Sequence, residues 1–135
     1  MRYFISGHRD ITQEEFDKNY KKAIDEVISN DPFPTFVVGD YCGADIMAQN
    51  YLKEIIDNGD GTLSESDVEV FHMFEFPRNY AFKDNPGVKC NGGFICDEDR
   101  DAAMTNCTDY DIAYVRGERW DSGTAQNIKR RHILK

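Results

Sequence analysis

The stretch RYFISGHRDIT, residues 2–12, contains the features that decide the fold. Arg2–Ser6 is a short apolar run that predicts a β-strand, and it ends at Gly7. Thr12 is followed three residues later by Glu15, the spacing of a capping box, which predicts a helix start near Thr12. The chain therefore begins with a strand and a helix, joined by a polar loop at the carboxyl end of the strand.

The same order recurs along the rest of the chain. Apolar runs predict further strands at 35–38, 68–74 and 110–115, and helical spacing predicts helices from about Ala44, at 100–106 and at 125–131. Strands that alternate with helices favour a parallel sheet with right-handed crossovers. We therefore predict a single α/β domain over residues 1–135, a Rossmann-like three-layer sandwich with a mostly parallel sheet of about four or five strands.

Residues 82–99 interrupt this alternation. The segment contains the turn-forming groups 85–87 (NPG) and 91–93 (NGG), and it is long for a connection without secondary structure. Long connections of this kind are often lids or binding loops. We therefore expect a lid-like loop at 82–99.

Charge and hydropathy narrow the class of partner. The chain has 16 basic and 25 acidic side chains and a formal net charge of −9, which repels a phosphate backbone, so direct binding of nucleic acid is not expected. No apolar stretch approaches the length of a membrane span, and the N-terminus lacks the layout of a signal peptide. We expect a cytoplasmic protein with no membrane partner.

Neither a metal site nor a cofactor site is predicted. The four cysteines include no CxxC pair, so we expect reduced thiols rather than a zinc site. Residues 58–67 resemble the middle of a calcium-binding loop, but Ile56 occupies the first ligand position and a predicted strand follows the loop. A polar connection is the preferred interpretation of this segment.

Three glycine-containing loops follow predicted strands, and they are the candidate ligand site. Parallel strands place such loops at one edge of the sheet, where ligands of open α/β domains bind, and helix N-termini there suit phosphate. His8 could contact a base or phosphate, although a histidine in a polar turn is more often exposed. The candidate binding residues in these loops are Ser6, Gly7, His8, Arg9, Gly39, Gly43, Ala44, Ser122, Gly123 and Thr124.

Four segments together resemble a known family. They are 39–48 (GDYCGADIMA), 100–104 (RDAAM), 109–115 (DYDIAYV) and 122–131 (SGTAQNIKRR). Their order is similar to that in the SLOG superfamily, most of all its YspA-like branch. The superfamily includes the Lonely Guy phosphoribohydrolases and is similar in fold to the nucleoside deoxyribosyltransferases. The resemblance implies a Rossmann-like domain that binds nucleotides or nucleotide-derived signals, with some branches cleaving the N-glycosidic bond of nucleoside monophosphates.

The resemblance also assigns residues. It places 43–45 in a GAD turn, Arg100 and Met104 on an arginine-bearing helix, and 122–124 in a phosphate loop. The hydrolytic branches carry a glutamate where this chain has Asn127, and an amide cannot act as a carboxylate nucleophile or base. Hydrolysis would need another acid, for which Asp45 and Asp121 are the candidates.

Asp45 and Arg100 are the candidate catalytic residues. Cleavage of an N-glycosidic bond develops positive charge on the sugar, so a carboxylate beside the sugar and an arginine on the phosphate would both assist. Each residue also has a structural interpretation, since Asp45 could cap a helix and Arg100 could pair with neighbouring acids on the surface.

The sequence leaves three functions open. The preferred one is a sensor or binding module for a small nucleotide-like ligand, because Asn127 replaces the catalytic glutamate. The alternative is an N-glycosidase or (deoxy)ribosyltransferase acting on nucleoside monophosphates, and the further alternative is a structural interaction protein. A homodimer is considered because so small a domain often buries a sheet edge against a second copy.

Overall fold

The computed structural model describes residues 1–116 and 122–134 and contains one five-stranded sheet. The strands are β1 Arg2–Ser6, β2 Thr35–Val38, β3 Val68–Met73, β4 Lys89–Phe94 and β5 Tyr110–Ala113. Their order is β4-β3-β2-β1-β5, and every neighbouring pair is parallel. The predicted α/β class with a Rossmann-like three-layer build is confirmed.

Helices cover both faces of the sheet. They are α1 Gln13–Phe16, which continues through a π-helical turn at Asp17–Lys21 into α2 Lys22–Asn30, then α3 Ala44–Asp57, α4 Asp97–Asn106 and α5 Gly123–Leu134. The first three helices pack on one face, and α4 and α5 pack together on the other. Within residues 1–116 and 122–134, no helix is long and apolar enough to cross a membrane.

Alternation along the strands divides the core into two parts. Ile5 and Val38 point toward α2 and α3, where the larger apolar cluster lies. Their neighbours Phe4 and Val37 point to the opposite face and pack with Met104 of α4. A parallel sheet covered on both faces needs apolar residues at successive positions, which explains why its central strands are continuous apolar runs.

Local signals fixed several boundaries. The capping box at Thr12 is present, because its hydroxyl accepts a hydrogen bond from the Glu15 N–H at 3.1 Å and the Glu15 carboxylate accepts one from the Thr12 N–H at 3.1 Å. The third strand stops at Met73, one residue earlier than predicted, because Phe74 has a φ of 53°. The last helix begins at Gly123 and extends to Leu134.

The expected lid-like loop at 82–99 is wrong. Lys89–Phe94 forms the edge strand β4 beside β3, and α4 begins at Asp97. The strand was missed because most of its side chains are exposed and it contains glycines, so it lacks the usual alternation. Gly92 is required there, since a Cβ at this position would overlap the His72 ring.

Candidate functional site

A cavity of about 310 Å³ opens at the carboxyl edge of the sheet. It lies where the strand order changes direction, since β2 follows β1 on one side and β5 returns to the other side. Ligands of open α/β sheets bind at such a switch point, and the volume lies at the lower end of the range for small-molecule sites. The cavity is therefore the candidate functional site.

Most of the sequence-predicted residues line this cavity. They are Ser6, Gly7, His8, Arg9, Asp45, Arg100, Met104, Ser122, Gly123, Thr124 and Asn127. The cavity wall also contains Phe4, Tyr41, Asp97 and Asp101, which were not predicted as site residues. The candidate Asp121 lies outside the described residues.

Gly39, Gly43 and Ala44 do not line the cavity and instead shape it. A Cβ at Gly39 would lie 2.5 Å from Oδ2 of Asp45, so glycine leaves the space that this carboxylate occupies. Gly43 has a φ of 77°, and a Cβ there would overlap the backbone of Arg9. The Ala44 N–H donates to the His8 carbonyl at 3.1 Å. The loop that follows β1 and the loop that follows β2 therefore touch through their backbones.

Asp45 is a buried carboxyl group in the first turn of α3, only 6% exposed. The N-cap is Gly43, so Asp45 does not cap the helix, and its carboxylate accepts a hydrogen bond from the Tyr41 N–H at 3.1 Å. Burial raises the pKa of Asp45 to about 7, although the nearby Arg100 partly opposes this. Such a group exchanges a proton near neutral pH, as a general acid or base must.

Arg100 is buried rather than on the surface, and acidic side chains surround it. Its Nη1 lies 2.8 Å from Oδ1 of Asp40 and 3.3 Å from Oδ1 of Asp97. Its Nη2 lies 2.9 Å from Oδ1 of Asp101, and its Nε donates to the same oxygen at 3.2 Å. Most of the guanidinium is thus engaged within the protein, and Arg100 holds three carboxylates at the cavity.

Asp40 was missed as a site residue, yet its carboxylate is fully buried and orients Arg100. It also accepts hydrogen bonds from the Met73 N–H at 3.2 Å, the Arg78 N–H at 2.9 Å and the Arg78 guanidinium. Burial alone would raise its pKa, but these donors lower it to about 2. Its position directly after Gly39, at the end of a strand, was the available signal, whereas nothing in the sequence indicated Arg78.

Asp101 is a second carboxyl group at the cavity and is partly buried, with a side chain 13% exposed. Burial raises its pKa, against the attraction of Arg100. The Asn127 Nδ2 donates to Oδ2 of Asp101 at 3.4 Å, and the Asn127 Oδ1 accepts from Arg130 at 2.7 Å. The Asn127 amide therefore lies beside the Asp101 carboxylate.

The N-terminus of α5 forms the opposite part of the cavity wall. Ser122 caps the helix, because its Oγ accepts from the Ala125 N–H at 3.2 Å. Among the residues that the structure describes, a Cβ at Gly123 would meet nothing within 4 Å, so these residues leave the first helical turn open on that side. Arg9 is exposed at the rim and forms no ion pair within the described part of the chain. Free N–H groups and the helix dipole suit an anion here.

Two side chains from the first loop face the cavity. The Ser6 hydroxyl is buried, and among the residues described it has no hydrogen-bond partner. His8 is buried, although a histidine in a polar turn is more often exposed. Its Nε2 accepts a hydrogen bond from the Arg116 N–H at 3.1 Å. That bond places the proton of a neutral His8 on Nδ1. A buried hydroxyl without a partner is rare in proteins, and an ordered water, an ion or a ligand group can satisfy it.

No group of three or more His, Cys, Asp or Glu side chains within the described ranges is arranged to hold a metal ion. The cysteines Cys42, Cys90, Cys96 and Cys107 are all free thiols. In comparisons with known proteins, the chain matches no family model, no curated protein and no solved structure.

Proposed function

We propose that the cavity binds a nucleoside monophosphate or a ligand of the same build, with the phosphate at the N-terminus of α5 and the sugar at the buried carboxylates. The observation that carries this proposal is the cavity that joins the N-terminus of α5 to carboxylate oxygens and is lined by Ser6, whose buried hydroxyl has no partner among the described residues. A phosphate ester of a sugar presents the matching groups, an anion at one end and hydroxyls at the other.

The two ends of the cavity favour one orientation of the ligand. Asp45, Asp97 and Asp101 would repel a phosphate dianion, and Arg100 is already engaged by carboxylates. The phosphate is therefore assigned to the amides at Gly123 and Thr124, with Arg9 at the rim. Carboxylates accept hydrogen bonds from hydroxyl groups, which suits the sugar end.

The cavity volume limits the size of the ligand. About 310 Å³ lies near the minimum for small-molecule sites. This favours a mononucleotide or sugar phosphate over a dinucleotide or an ADP-ribose-type signal. The role proposed for the domain is that of a binding or sensing module.

A second candidate function is hydrolysis of the N-glycosidic bond of the same ligand. It is favoured by Asp45, whose pKa of about 7 allows it to give a proton to the departing base at neutral pH. The Asp101 carboxylate, when ionised, would stabilise positive charge at the sugar and accept a proton from the attacking water. The products would be free base and sugar phosphate, and the water supplies both the new hydroxyl and the replacement proton.

Calorimetric titration with adenosine, guanosine and cytidine 5′-monophosphates tests the binding proposal, with each nucleoside as the comparison. We expect a monophosphate to bind, and its nucleoside to bind at least about tenfold more weakly because the α5 contacts are lost. The Ser6→Ala variant should weaken binding, and the exposed Asp84→Asn variant should not. Binding that is independent of the phosphate, or no binding by any nucleotide, would overturn the proposal.

Chromatography of the same mixtures separates the two candidate functions. Release of free base that is lost in Asp45→Asn, with ligand affinity retained, would establish hydrolysis. Binding without any release over days would establish a module that does not turn its ligand over.

A further inference from the structure

Tyr20 is the fourth residue of the π-helical turn Asp17–Lys21 and is completely buried. Its hydroxyl donates to the Ser6 carbonyl at 2.8 Å and accepts from the Tyr114 N–H at 2.9 Å. One phenol oxygen thus connects the chain leaving β1 with the chain leaving β5. Burial raises the pKa of Tyr20, so the hydroxyl remains protonated and able to donate.

These two bonds continue the sheet where its ladder ends. The pairing of β1 with β5 runs from Tyr3 opposite Tyr110 to Ser6 opposite Ala113. At the next step the Ser6 carbonyl and the Tyr114 N–H both bond the phenol instead of each other. The strands can therefore diverge without leaving a buried backbone group unpaired, and the cavity opens at this point.

The π-helical turn and Gly7 both fit this arrangement. A π turn displaces a side chain from its place in a regular α-helix, and such turns occur frequently at functional sites. A Cβ at Gly7 would lie 2.5 Å from the Tyr20 Oη, so the loop that lines the cavity lies directly on the phenol. The Phe16 ring stacks on Tyr20 with centroids 5.5 Å apart and holds it in place.

We infer that Tyr20 is a positioning residue for the cavity, whose hydroxyl sets the separation between the first loop and the chain that leaves β5. The residue does not line the cavity and acts through Ser6, Gly7 and Tyr114. Its effect on ligand affinity rests on the proposed function, whereas its effect on the geometry of the loops does not.

The test is the Tyr20→Phe variant, which keeps the ring stacked on Phe16 and removes the hydroxyl alone. Tyr51→Phe is the matched control, because Tyr51 also packs against Phe16 and its hydroxyl bonds the carboxylate of Asp25, away from the cavity. Amide hydrogen exchange and backbone chemical shifts are measured without ligand. Affinity for adenosine 5′-monophosphate and for inorganic phosphate is then measured by calorimetry.

In Tyr20→Phe we expect the Tyr114 amide to exchange about tenfold faster or more, since its only described acceptor is gone. The shifts of Gly7 and Tyr114 should change, and affinity for the nucleotide should fall by about tenfold while Tyr51→Phe keeps wild-type affinity. Unchanged exchange at Tyr114, or unchanged shifts at Gly7 and Tyr114, overturns the inference.

The two proposals fail in different ways. If the wild type binds neither probe, the proposed function fails, and the exchange and shift data alone decide the role of Tyr20. If the wild type binds and Tyr20→Phe binds equally well, the positioning role is refuted although the proposed function stands. Equal losses of affinity in both tyrosine variants would show a general loss of stability and would also refute it.

Discussion

Replacement of Asp45 by asparagine should stabilise the protein above neutral pH. The carboxyl group is buried, and its pKa is raised from the ordinary value of 3.8 to about 7. Between these two values the folded state holds a proton that the unfolded state has released. The contribution of this bound proton to the free energy of unfolding is therefore fully present below about pH 4 and is lost as the pH rises through 7.

The size of the effect follows from the pKa. Each pKa unit is worth about 1.4 kcal/mol, so the ionised Asp45 costs the folded state at most about 4 kcal/mol at pH 8. Asparagine has nearly the same shape, keeps an oxygen to accept from the Tyr41 N–H and carries no charge. The free energy of unfolding of Asp45→Asn should exceed that of the wild type by roughly 1 to 4 kcal/mol at pH 8.

Urea unfolding followed by circular dichroism from pH 4 to pH 8 measures this difference. The groups facing Asp45, namely Arg100, Asp101 and Asp40, are common to both proteins, so the comparison isolates Asp45. The exposed Asp84→Asn variant serves as the control and should follow the wild type. A constant difference across the pH range, or a variant that is less stable at pH 8, would refute the argument from burial.

Three further substitutions probe the framework of the site. Asp40→Asn leaves two arginines without their shared carboxylate and should lower the free energy of unfolding by about 3 to 5 kcal/mol, measured by urea at pH 7; a loss below 1 kcal/mol would contradict the role given to this group. In Gly43→Ala the alanine would have to adopt a positive φ and its Cβ would overlap the Arg9 backbone, so the free energy of unfolding should fall by about 1 to 3 kcal/mol. An unchanged free energy of unfolding would mean that the loop moves freely. Thr12→Ala removes the cap of α1 and should cost about 1 kcal/mol with ligand affinity unchanged by calorimetry, so a change in affinity would link the cap to the site.

The loops of the site were predictable because their signals are local. Glycine after an apolar run and a capping box before a helical pattern both report on a few neighbouring residues, and they placed Ser6–Arg9 and Ser122–Thr124 at one sheet edge. Family resemblance added Asp45 and Arg100. These signals give the order of segments along the chain, and a parallel sheet brings the loops that follow its strands to the same edge.

The charges of the site were less predictable because they depend on tertiary contacts. Asp40, Arg78 and Arg100 are far apart in sequence and meet through the packing of α4 on β3. The sequence therefore left Arg100 either on a phosphate or paired with neighbouring acids on the surface, whereas in the fold it is buried and paired with three acids. The edge strand β4 was missed for a similar reason, because it is defined by its backbone hydrogen bonds to β3 and not by a pattern of side chains.

The direct backbone contact between the first two loops has a consequence for changing ligand preference. With Gly7, Gly43 and Ala44 packed against one another, no side chain separates the loops that could be exchanged for a larger or smaller one. Variation on that side would disturb the scaffold before it altered selectivity. Diversity is better tolerated at Tyr41 and Asp97, which line the cavity and are not part of the buried core. A library confined to those two positions should therefore yield mostly folded proteins with altered ligand preference.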